Sequence, residues 1–282
     1  MALWGVVPGG ARPLAVPAGA QDPTDVFAGL PLGVYSGLRT YEHDRFLRLE
    51  DHVDRTDRSA ELLGLDARLD RPALRATLRE ACAAWPHDEA RVRFDLLAGP
   101  ATARGFDGRV LVLLFPFVPL PEAARRDGVR VALTRELGRE EPEIKRADFT
   151  VQRKPLQAGP SGGAYEHVLV DARDRLLEGS SSNLFVVRDG ILSTPEDGVL
   201  AGITRRIVIE LASATQLPFR ATSTTVAELP ALHEAFLTSS SRHLVPVVEI
   251  DGVRIGSGRV GPVTRRLMSA YDLYARREAR RA

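Results

Sequence analysis

Lysine is scarce in this chain of 282 residues: among its 38 basic residues, only Lys145 and Lys154 are lysines. The others are arginines, whose guanidinium groups do not lose their proton in proteins. Arginine can replace lysine on a surface, but not where a neutral amine must bond covalently to a carbonyl compound. Chemistry that depends on a primary side-chain amine is therefore restricted to two positions.

Cysteine occurs once, at Cys82, which excludes disulfide bonds and cysteine-based zinc sites within the chain. Cys82 shares a helical spacing with Leu74, Leu78 and Trp85, so we interpret it as a core residue and not as a nucleophile. Long apolar runs and a signal-like N-terminal segment are also absent. We therefore expect a cytoplasmic protein that has no membrane partner.

Strong charge of either sign is absent as well, because 37 acidic residues balance 38 basic ones to a formal net charge of +1. Without an overall basic charge we expect no nucleic-acid partner. Separately, we predict no metal site. The contents of 44% hydrophobic and 27% charged residues are typical of globular proteins. The length is sufficient for two domains.

The predicted secondary structure indicates an α+β protein. Alternation of apolar and polar residues predicts a hairpin over residues 31–50 that turns near residues 42–44. Helical spacing predicts helices over residues 51–64 and 70–85, the second with Asp70 as its cap and Pro72 in its first turn. Strands are predicted near 91–97 and 109–115. The later part of the chain contains mostly short strands with two or three helices.

A proline-rich stretch, PFVPLP at residues 116–121, cannot form a helix or a central strand, because proline lacks a backbone donor. It therefore marks a predicted domain junction. We predict an N-terminal domain over residues 1–115, a linker over 116–124 and a C-terminal domain over 125–282.

Candidate catalytic groups occur in the C-terminal part. Lys145, in EIKRADF, lies between apolar residues and is a better candidate amine than Lys154, whose surroundings look solvated. Glu178 precedes a Gly/Ser/Asn turn and a strand. Its local pattern fits an exposed hairpin residue as well as an acid placed at the mouth of a sheet.

Two further segments offer donors to an anion. A helix predicted to begin at Ile203 and Thr204 presents free N–H groups and a hydroxyl, although an ordinary first-turn threonine has the same pattern. Ser240 and Ser241 follow a strand, either as a polar turn or as converging donors. An amine, an acid and phosphate donors together are what pyridoxal phosphate requires.

Seven segments in order resemble the fold-type IV pyridoxal phosphate enzymes, the branched-chain aminotransferase family. They cover roughly residues 30–275 and read VYSGLRTY, FLRLEDHVDRTDRSAELLGL, EIKRADF, LLEGSSSNLFVV, LAGITRRIV, FLTSSSRHLVPV and GRVGPVTRRL. The resemblance implies a smaller N-terminal α/β sandwich domain and a larger C-terminal pseudo-barrel domain. It also implies pyridoxal 5'-phosphate as cofactor and a homodimer. The implied reaction moves an amino group between an amino acid, expected to be a hydrophobic or branched-chain L-amino acid, and a 2-oxo acid.

The same resemblance assigns roles to individual residues. It makes Lys145 the Schiff-base lysine and general acid/base, and Glu178 the carboxylate that faces the pyridine nitrogen. The other implied cofactor contacts are Arg55, Ile203, Thr204 and Ser240. The implied substrate contacts are Tyr35, Arg39, Arg93, Ser240 and Ser241.

The chain departs from the family pattern at a few positions. Asp148 and Phe149 stand where the family usually has asparagine followed by tyrosine, leucine or arginine. Ser36 stands where branched-chain members usually have glutamate. These departures bear on the identity of the substrate more than on cofactor binding.

D-amino acid transamination and aminodeoxychorismate lyase activity are the alternatives within the family. Residues 96–99, LLAG, lack the arginine-glycine pair common in both alternatives, and the segment GRVGPVTRR resembles branched-chain members; both observations favour an L-transaminase. Residues 104–106, RGF, resemble a loop of the lyases. A catalytically inactive binding protein is disfavoured, because both Lys145 and Glu178 are present.

Overall fold

The computed structural model of the protein describes residues 1–158 and 163–282, and the chain forms two compact units. The first unit comprises Met1–Val118, Ile144–Val151 and Ala275–Ala282. The second unit comprises Pro119–Glu143 and Gln152–Tyr274. The main segment of the first unit thus ends inside the predicted linker, and two later segments return to this unit, which the predicted boundaries did not include.

Up to residue 118 the helices and strands are β1 (Ala2–Val7), β2 (Gly10–Leu14), α1 (Pro23–Phe27), β3 (Val34–Tyr41), β4 (Arg45–Phe46), α2 (Leu49–Leu62), α3 (Arg71–Ala83), β5 (Ala90–Leu96) and β6 (Val110–Pro116). The next elements are α4 (Glu122–Asp127), β7 (Val129–Thr134), α5 (Phe149–Gln152), α6 (Lys154–Ala158), β8 (His167–Val170), β9 (Arg175–Gly179), β10 (Ser182–Arg188) and β11 (Ile191–Thr194). The last are α7 (Ile203–Ala214), β12 (Phe219–Ala221), β13 (Thr224–Thr225), β14 (Glu234–Ser239), β15 (His243–Ile250), β16 (Val253–Arg254), α8 (Pro262–Glu278) and β17 (Arg280–Arg281). In the part of the chain that the structure describes, no helix has the length and apolar character needed to cross a membrane.

The first unit is built on an antiparallel sheet with the strand order β17-β4-β3-β5-β6-β1-β2. Successive side chains of a strand point to opposite faces, and both faces of this sheet are covered. Val112 and Leu114 of β6 pack in a core with Leu74 of α3. Leu113, between them in sequence, packs in another core with Phe27 of α1.

Several local predictions for this unit are confirmed. Strands β3 and β4 pair as a hairpin with Tyr41 opposite Arg45, so the turn falls at residues 42–44 as expected. Helix α3 is capped by Asp70, whose carboxylate accepts from the Ala73 N–H at 3.0 Å. Pro72 lies in the first turn of that helix, where a missing N–H costs little.

The second unit contains the larger sheet, with the strand order β12-β11-β10-β14-β15-β7-β8-β9-β13 and β16 beside β15. Strand β9 also pairs with β10. The six strands from β10 through β14, β15, β7 and β8 to β9 therefore close into a barrel. The α+β class and the pseudo-barrel expected for the C-terminal part are confirmed.

The Cys82 thiol tests the packing of the first unit. Burial raises the pKa of the thiol to about 12, with a smaller contribution from Asp44. The side chain extends from α3 and is buried in the core of the first unit. Because the thiolate is the reactive form, we expect alkylation at mildly alkaline pH to be slower than in the unfolded chain by about a thousandfold or more. Mass spectrometry after iodoacetamide treatment, with and without urea, measures this ratio. Equal alkylation rates with and without urea would contradict the burial of Cys82.

Candidate active site

Lys145 lies in the loop before α5, and backbone hydrogen bonds fix its position in the first unit. The Tyr35 N–H donates to the Lys145 carbonyl oxygen over 3.0 Å. The Lys145 N–H donates to the Ser59 hydroxyl of α2 over 3.1 Å. The Ala147 N–H donates to the Gly33 carbonyl oxygen over 2.9 Å. The backbone of the lysine is thus held on both sides, so its side chain extends from a fixed base.

Gly33 permits this arrangement because it has no side chain. A Cβ atom at this position would lie 2.2 Å from the Leu96 carbonyl oxygen and 3.0 Å from the Ala98 nitrogen. Both are backbone atoms at the end of β5, which cannot move aside without shifting the sheet. Glycine is therefore required at the point where the chain enters β3 and meets the lysine segment.

The Lys145 amine lies near the Tyr35 ring. Its Nζ atom is 5.1 Å from the ring centroid, within the range of a cation–π contact. Tyr35 is buried, whereas Lys145 is half-buried. The structure thus brings together the predicted Schiff-base lysine and a predicted substrate contact.

Arg93 contacts the same tyrosine, but its charge is already paired. Its Nε and Nη2 atoms donate to the two carboxylate oxygens of Asp95 over 2.7 and 2.6 Å. Its guanidinium carbon is 4.4 Å from the Tyr35 ring centroid and 4.1 Å from that of Phe27. Arg93 is 5% exposed and Asp95 is 0% exposed. The Arg93 side chain is therefore enclosed by an anion and two aromatic rings.

Burial and charge act in opposite directions on this pair. Burial alone would lower the pKa of Arg93, but the Asp95 carboxylate outweighs that effect and raises it. Burial raises the pKa of Asp95, and the charge and hydrogen bonds of Arg93 oppose that rise. Both carboxylate oxygens accept from one guanidinium, which is the geometry of an ion pair.

Arg55, the predicted phosphate contact, extends from α2 toward β3. Its Nη2 atom donates to the Ser36 hydroxyl over 3.0 Å, and the Thr56 hydroxyl lies 3.2 Å from the same oxygen. Because Ser36 follows Tyr35 along a strand, the two side chains point to opposite faces of β3. Ser36, the departure from the family pattern, is thus a buried partner of Arg55.

Arg39, a predicted substrate contact, lies apart from the lysine and Tyr35. It follows Tyr35 by four residues on β3, a rise of about 13 Å. Its guanidinium forms an ion pair with Glu89, and its guanidinium carbon is 3.6 Å from the Phe117 ring centroid. The structure therefore does not group Arg39 with Lys145, and its substrate role stays a prediction.

Glu178 lies at the end of β9 in the second unit, where it is 2% exposed. Its Oε1 atom accepts from Arg139 Nε over 2.6 Å. Its Oε2 atom accepts from Asn183 Nδ2 over 3.0 Å and from the Leu200 N–H over 3.1 Å. Of the two interpretations of the sequence, an exposed hairpin residue and a placed acid, the buried carboxylate agrees with the second. The donors stabilise its charged form.

Asn183 links this acid to the start of α7. Its amide also donates to the Leu200 carbonyl oxygen over 2.8 Å. A Cβ atom on Gly202 would lie 1.9 Å from Asn183 Oδ1, so glycine is needed for the close approach. Gly202 is the N-terminal cap of α7, which begins at Ile203 as predicted.

The first turn of α7 contains both residues assigned to the phosphate seat, Ile203 and Thr204, and both are buried. The Thr204 hydroxyl lies 3.3 Å from the Tyr271 hydroxyl of α8. The first N–H groups of a helix have no acceptor within the helix. What this helix end offers an anion is therefore its backbone donors, because the threonine hydroxyl has a protein partner.

Ser240 and Ser241 occupy the turn between β14 and β15 and are half-buried. Arg242 fixes this turn, because its Nε donates to the Ser239 hydroxyl over 3.2 Å and its Nη2 to the Ser181 hydroxyl over 2.8 Å. The turn that follows Glu178 and the predicted hydroxyl turn are therefore connected by one arginine.

Glu166 anchors that arginine. Its Oε2 atom is 2.9 Å from Arg242 Nη1, and its Oε1 atom accepts from the Ser181 N–H over 2.6 Å and the Ser182 hydroxyl over 3.0 Å. Burial alone would raise the pKa of Glu166, but Arg242 and these donors together hold it below its usual value. An ion pair with a buried carboxylate thus supports both turns.

Thr238, at the end of β14, has a buried hydroxyl for which no described residue offers a hydrogen-bond partner. It pairs across the sheet with Asn183, the residue that binds Glu178. Buried hydroxyls in proteins are normally bonded. This hydroxyl is therefore available to a bound ligand.

Several contact residues were not identified from the sequence, among them Arg139, Asn183, Asp95 and Phe27. Asn183 stands in the motif that contains Glu178, so its position was visible but its role was not. Asp95 follows Arg93 by two residues in a predicted strand, which places both side chains on one face. Arg139 and Phe27 had no comparable signal, because they lie far along the chain from the groups they contact.

The donor set fits pyridoxal 5'-phosphate. The first unit offers the amine of Lys145. The second unit offers a buried carboxylate on Glu178 held by three donors, a helix N-terminus at Ile203 and an available hydroxyl on Thr238. These are the groups that its aldehyde, ring nitrogen and phosphate need.

The chain is similar to known aminotransferases. Residues 33–250 match the model of the family described as amino-transferase class IV. The chain is 29% identical to the branched-chain-amino-acid aminotransferase of Pseudomonas aeruginosa over 255 residues, which cover 85% of this chain and 83% of that protein. It is 28% identical to the D-alanine aminotransferase of Bacillus licheniformis over 248 residues, which cover 85% and 86%.

A solved structure shows the same architecture. The branched-chain aminotransferase from Thermoproteus uzoniensis, determined with norvaline, matches this chain with a TM-score of 0.75 and 26% identity. The match covers 100% of this chain and 99% of that chain. The relatives thus include proteins named for branched-chain amino acids and a protein named for D-alanine.

The buried pair of Arg139 and Glu178 gives a test of the second unit. Arg139→Met leaves a buried carboxylate without its cationic partner, so we expect it to lower the free energy of unfolding by about 3–5 kcal/mol. Arg139→Met combined with Glu178→Gln removes both charges and should cost clearly less than the sum of the single changes. Urea unfolding followed by circular dichroism measures these values.

Arg68→Met is the matched control for this cycle, because Arg68 and its partner Glu61 are largely exposed. We expect no measurable loss of stability from it. Additive effects of Arg139→Met and Glu178→Gln, without coupling, would contradict the pairing.

Proposed function

We propose, since the chain belongs to the class IV aminotransferase family, that its amino donor is a hydrophobic or branched-chain L-amino acid and its amino acceptor a 2-oxo acid. Class IV aminotransferases depend on pyridoxal phosphate, and the branched-chain and D-alanine aminotransferase relatives support transamination as the reaction. The observation that supports a working enzyme best is the fixed backbone of Lys145, which presents one of only two lysine amines of the chain beside Tyr35.

When bound, the cofactor supplies an aldehyde and an electron-withdrawing ring. We propose that Lys145 would hold the cofactor through its amine, and that this amine would move the proton at the α-carbon of the substrate. Glu178 would pair with the ring nitrogen and favour its protonated form, because an adjacent opposite charge stabilises a cation. Arg55, the N-terminus of α7 and Ser240 would bind the phosphate.

The preference for an L-amino acid with an apolar side chain is supported by two features of the sequence. Residues 96–99, LLAG, lack the arginine-glycine pair of the D-amino acid enzymes and lyases. The segment GRVGPVTRR resembles the branched-chain members. Tyr35 adds aromatic surface near the amine in the first unit.

D-amino acid transamination is the second candidate, supported by the 28% identity to a D-alanine aminotransferase. The lyase alternative rested on residues 104–106, RGF. In the structure, Arg104 donates to the carbonyl oxygens of Val26 and Ala28, and Phe106 is buried in the core beneath α1. These residues thus have structural roles of their own, which weakens the resemblance to the lyase loop.

Two further expectations belong to the proposal. We propose a homodimer, by resemblance to the family. We propose the cytoplasm as the compartment, because a single cysteine leaves the chain without the internal disulfide bonds common in exported proteins.

Borohydride reduction tests the role of Lys145. Reduction of the protein loaded with pyridoxal phosphate should attach a pyridoxyl group to the peptide that contains Lys145, as detected by mass spectrometry. Lys145→Arg should abolish the label and lower the transamination rate by about 10²–10⁴-fold or more, because guanidinium replaces neither the amine nor the base. Lys154→Arg is the matched control and should keep both. A label on Lys154, or no label at all, would contradict the proposed role of Lys145.

A half-reaction panel tests the substrate. The cofactor-loaded protein is mixed separately with L-leucine, L-valine, D-alanine and aminodeoxychorismate, and its visible spectrum is followed. We expect conversion by the two L-amino acids, slower or no conversion by D-alanine, and no pyruvate or 4-aminobenzoate from aminodeoxychorismate. Faster conversion by D-alanine would instead identify a D-amino acid transaminase, and release of these products would identify the lyase.

A further inference from the structure

We propose that Asp95 makes this enzyme selective for amino acids and 2-oxo acids without a second carboxylate, by occupying the guanidinium that such a carboxylate would bind. The inference rests on the proposed function, in which the substrate reacts beside Lys145. The inference assigns Asp95 a role in substrate specificity. It also extends the selectivity against a second carboxylate from the amino donor to the 2-oxo acid acceptor.

The sheet of the first unit places the pair beside the amine. Arg93 and Asp95 are two residues apart on β5, so both side chains are on one face. Asp95 is directly opposite Tyr35 in the register of β5 and β3, and Arg93 is opposite Gly37, which has no side chain. The guanidinium therefore has room to lie over β3, where it contacts the Tyr35 ring.

The pair is also close to Lys145. The Arg93 guanidinium carbon is 4.4 Å and the Lys145 Nζ atom 5.1 Å from the same ring centroid. The two atoms are thus at most 9.5 Å apart, the sum of these distances. A small dicarboxylic substrate that reacts at the amine extends its second carboxylate over this range.

The Nε/Nη2 edge of the Arg93 guanidinium is already occupied by an anion. Asp95 takes the bidentate position that a substrate carboxylate would take, and Phe27 and Tyr35 cover the guanidinium with aromatic rings. The pair is neutral as a whole and buried. A second carboxylate here would give the region a net negative charge with little water to stabilise it, which is unfavourable. An uncharged side chain adds no such charge.

The two half-reactions of a transaminase use the same substrate position, one for the amino acid and the other for the 2-oxo acid. The exclusion of a second carboxylate therefore applies to both substrates. This exclusion predicts that the amino group passes between monocarboxylic amino acids and monocarboxylic 2-oxo acids. Glutamate and aspartate should not be efficient donors.

Wild-type protein provides the first test. L-norvaline and L-glutamate have the same carbon skeleton and differ at its end, where glutamate has a carboxylate. We expect the second-order rate constant of the half-reaction to be higher for norvaline by about tenfold or more. The reason is that Asp95 denies the glutamate side chain a charge-assisted interaction with Arg93. Equal constants, or a higher one for glutamate, would overturn the inference. The same comparison uses the D-enantiomers if the panel above identifies a D-transaminase.

Three variants separate the role of Asp95 from a general effect of charge. Asp95→Asn keeps the shape but removes the anion, so the constant for glutamate should rise about tenfold or more relative to that for norvaline. Arg93→Met with Asp95→Leu removes both charges and should not produce this gain. Asp88→Asn, an exposed residue of the same unit, is the matched control and should leave the ratio unchanged. No gain in Asp95→Asn, or the same gain in the double variant, would overturn the inference.

A binding experiment gives a readout without turnover. Pentanoate and glutarate differ by one carboxylate and carry no amino or oxo group. Calorimetry on the cofactor-loaded wild type should show tighter binding of pentanoate, and Asp95→Asn should bind glutarate more tightly than wild type by about tenfold. Tighter binding of glutarate than of pentanoate by wild type would overturn the inference. This comparison needs only the wild-type protein, so it remains decisive even if Asp95→Asn does not fold. Absence of a half-reaction with every amino acid would instead count against the proposed function.

Discussion

A buried anion is the feature on which the second unit depends. Glu178 is placed where β9 meets β10, the contact that closes the barrel, and its pairing partner Asn183 is also its hydrogen-bond donor. A carboxylate that lost its water on folding would be costly without donors, and here Arg139, Asn183 and the Leu200 N–H replace that water. The same contacts fix the strand closure, the chain before α7 and the position of the charge. The barrel closure and the proposed chemistry therefore depend on one group of hydrogen bonds.

The first unit contributes an amine under different constraints. Lys145 is held through its backbone by Tyr35 and Ser59, so its side chain stays able to react. The cations and anions around it are balanced locally, because Arg93 is neutralised by Asp95. An arginine in this unit is thus not by itself an anion site. Its neighbours decide whether its charge is available.

The sequence predicted the elements whose causes are local. Asp70 and Pro72 indicated the start of α3, and the scarcity of lysine directed attention to Lys145. The class of fold followed from the order of strands and helices, and the family resemblance added the barrel. The first hairpin was not predicted, although Pro8 and Gly9 at the turn between β1 and β2 are a recognisable turn signal.

Contacts between distant segments were the part that local patterns do not contain. Arg139 precedes its partner Glu178 by 39 residues and lies outside any helix or strand, so no periodicity connects them. The consequence of Asp95 for Arg93 needed the burial of both side chains as well as their spacing on β5. The ends and caps of elements were therefore predictable from the sequence, whereas the charge state and availability of the site residues required the structure.

The central claim is that Glu178 is an anion that keeps the bound cofactor ring protonated. Nitrogen-15 NMR of the protein loaded with ring-labelled pyridoxal phosphate measures this state directly. We expect the chemical shift of a protonated ring nitrogen in the wild type at neutral pH, and that of an unprotonated nitrogen in Glu178→Gln. An unprotonated nitrogen in the wild type, or the same shift in both proteins, would contradict the account.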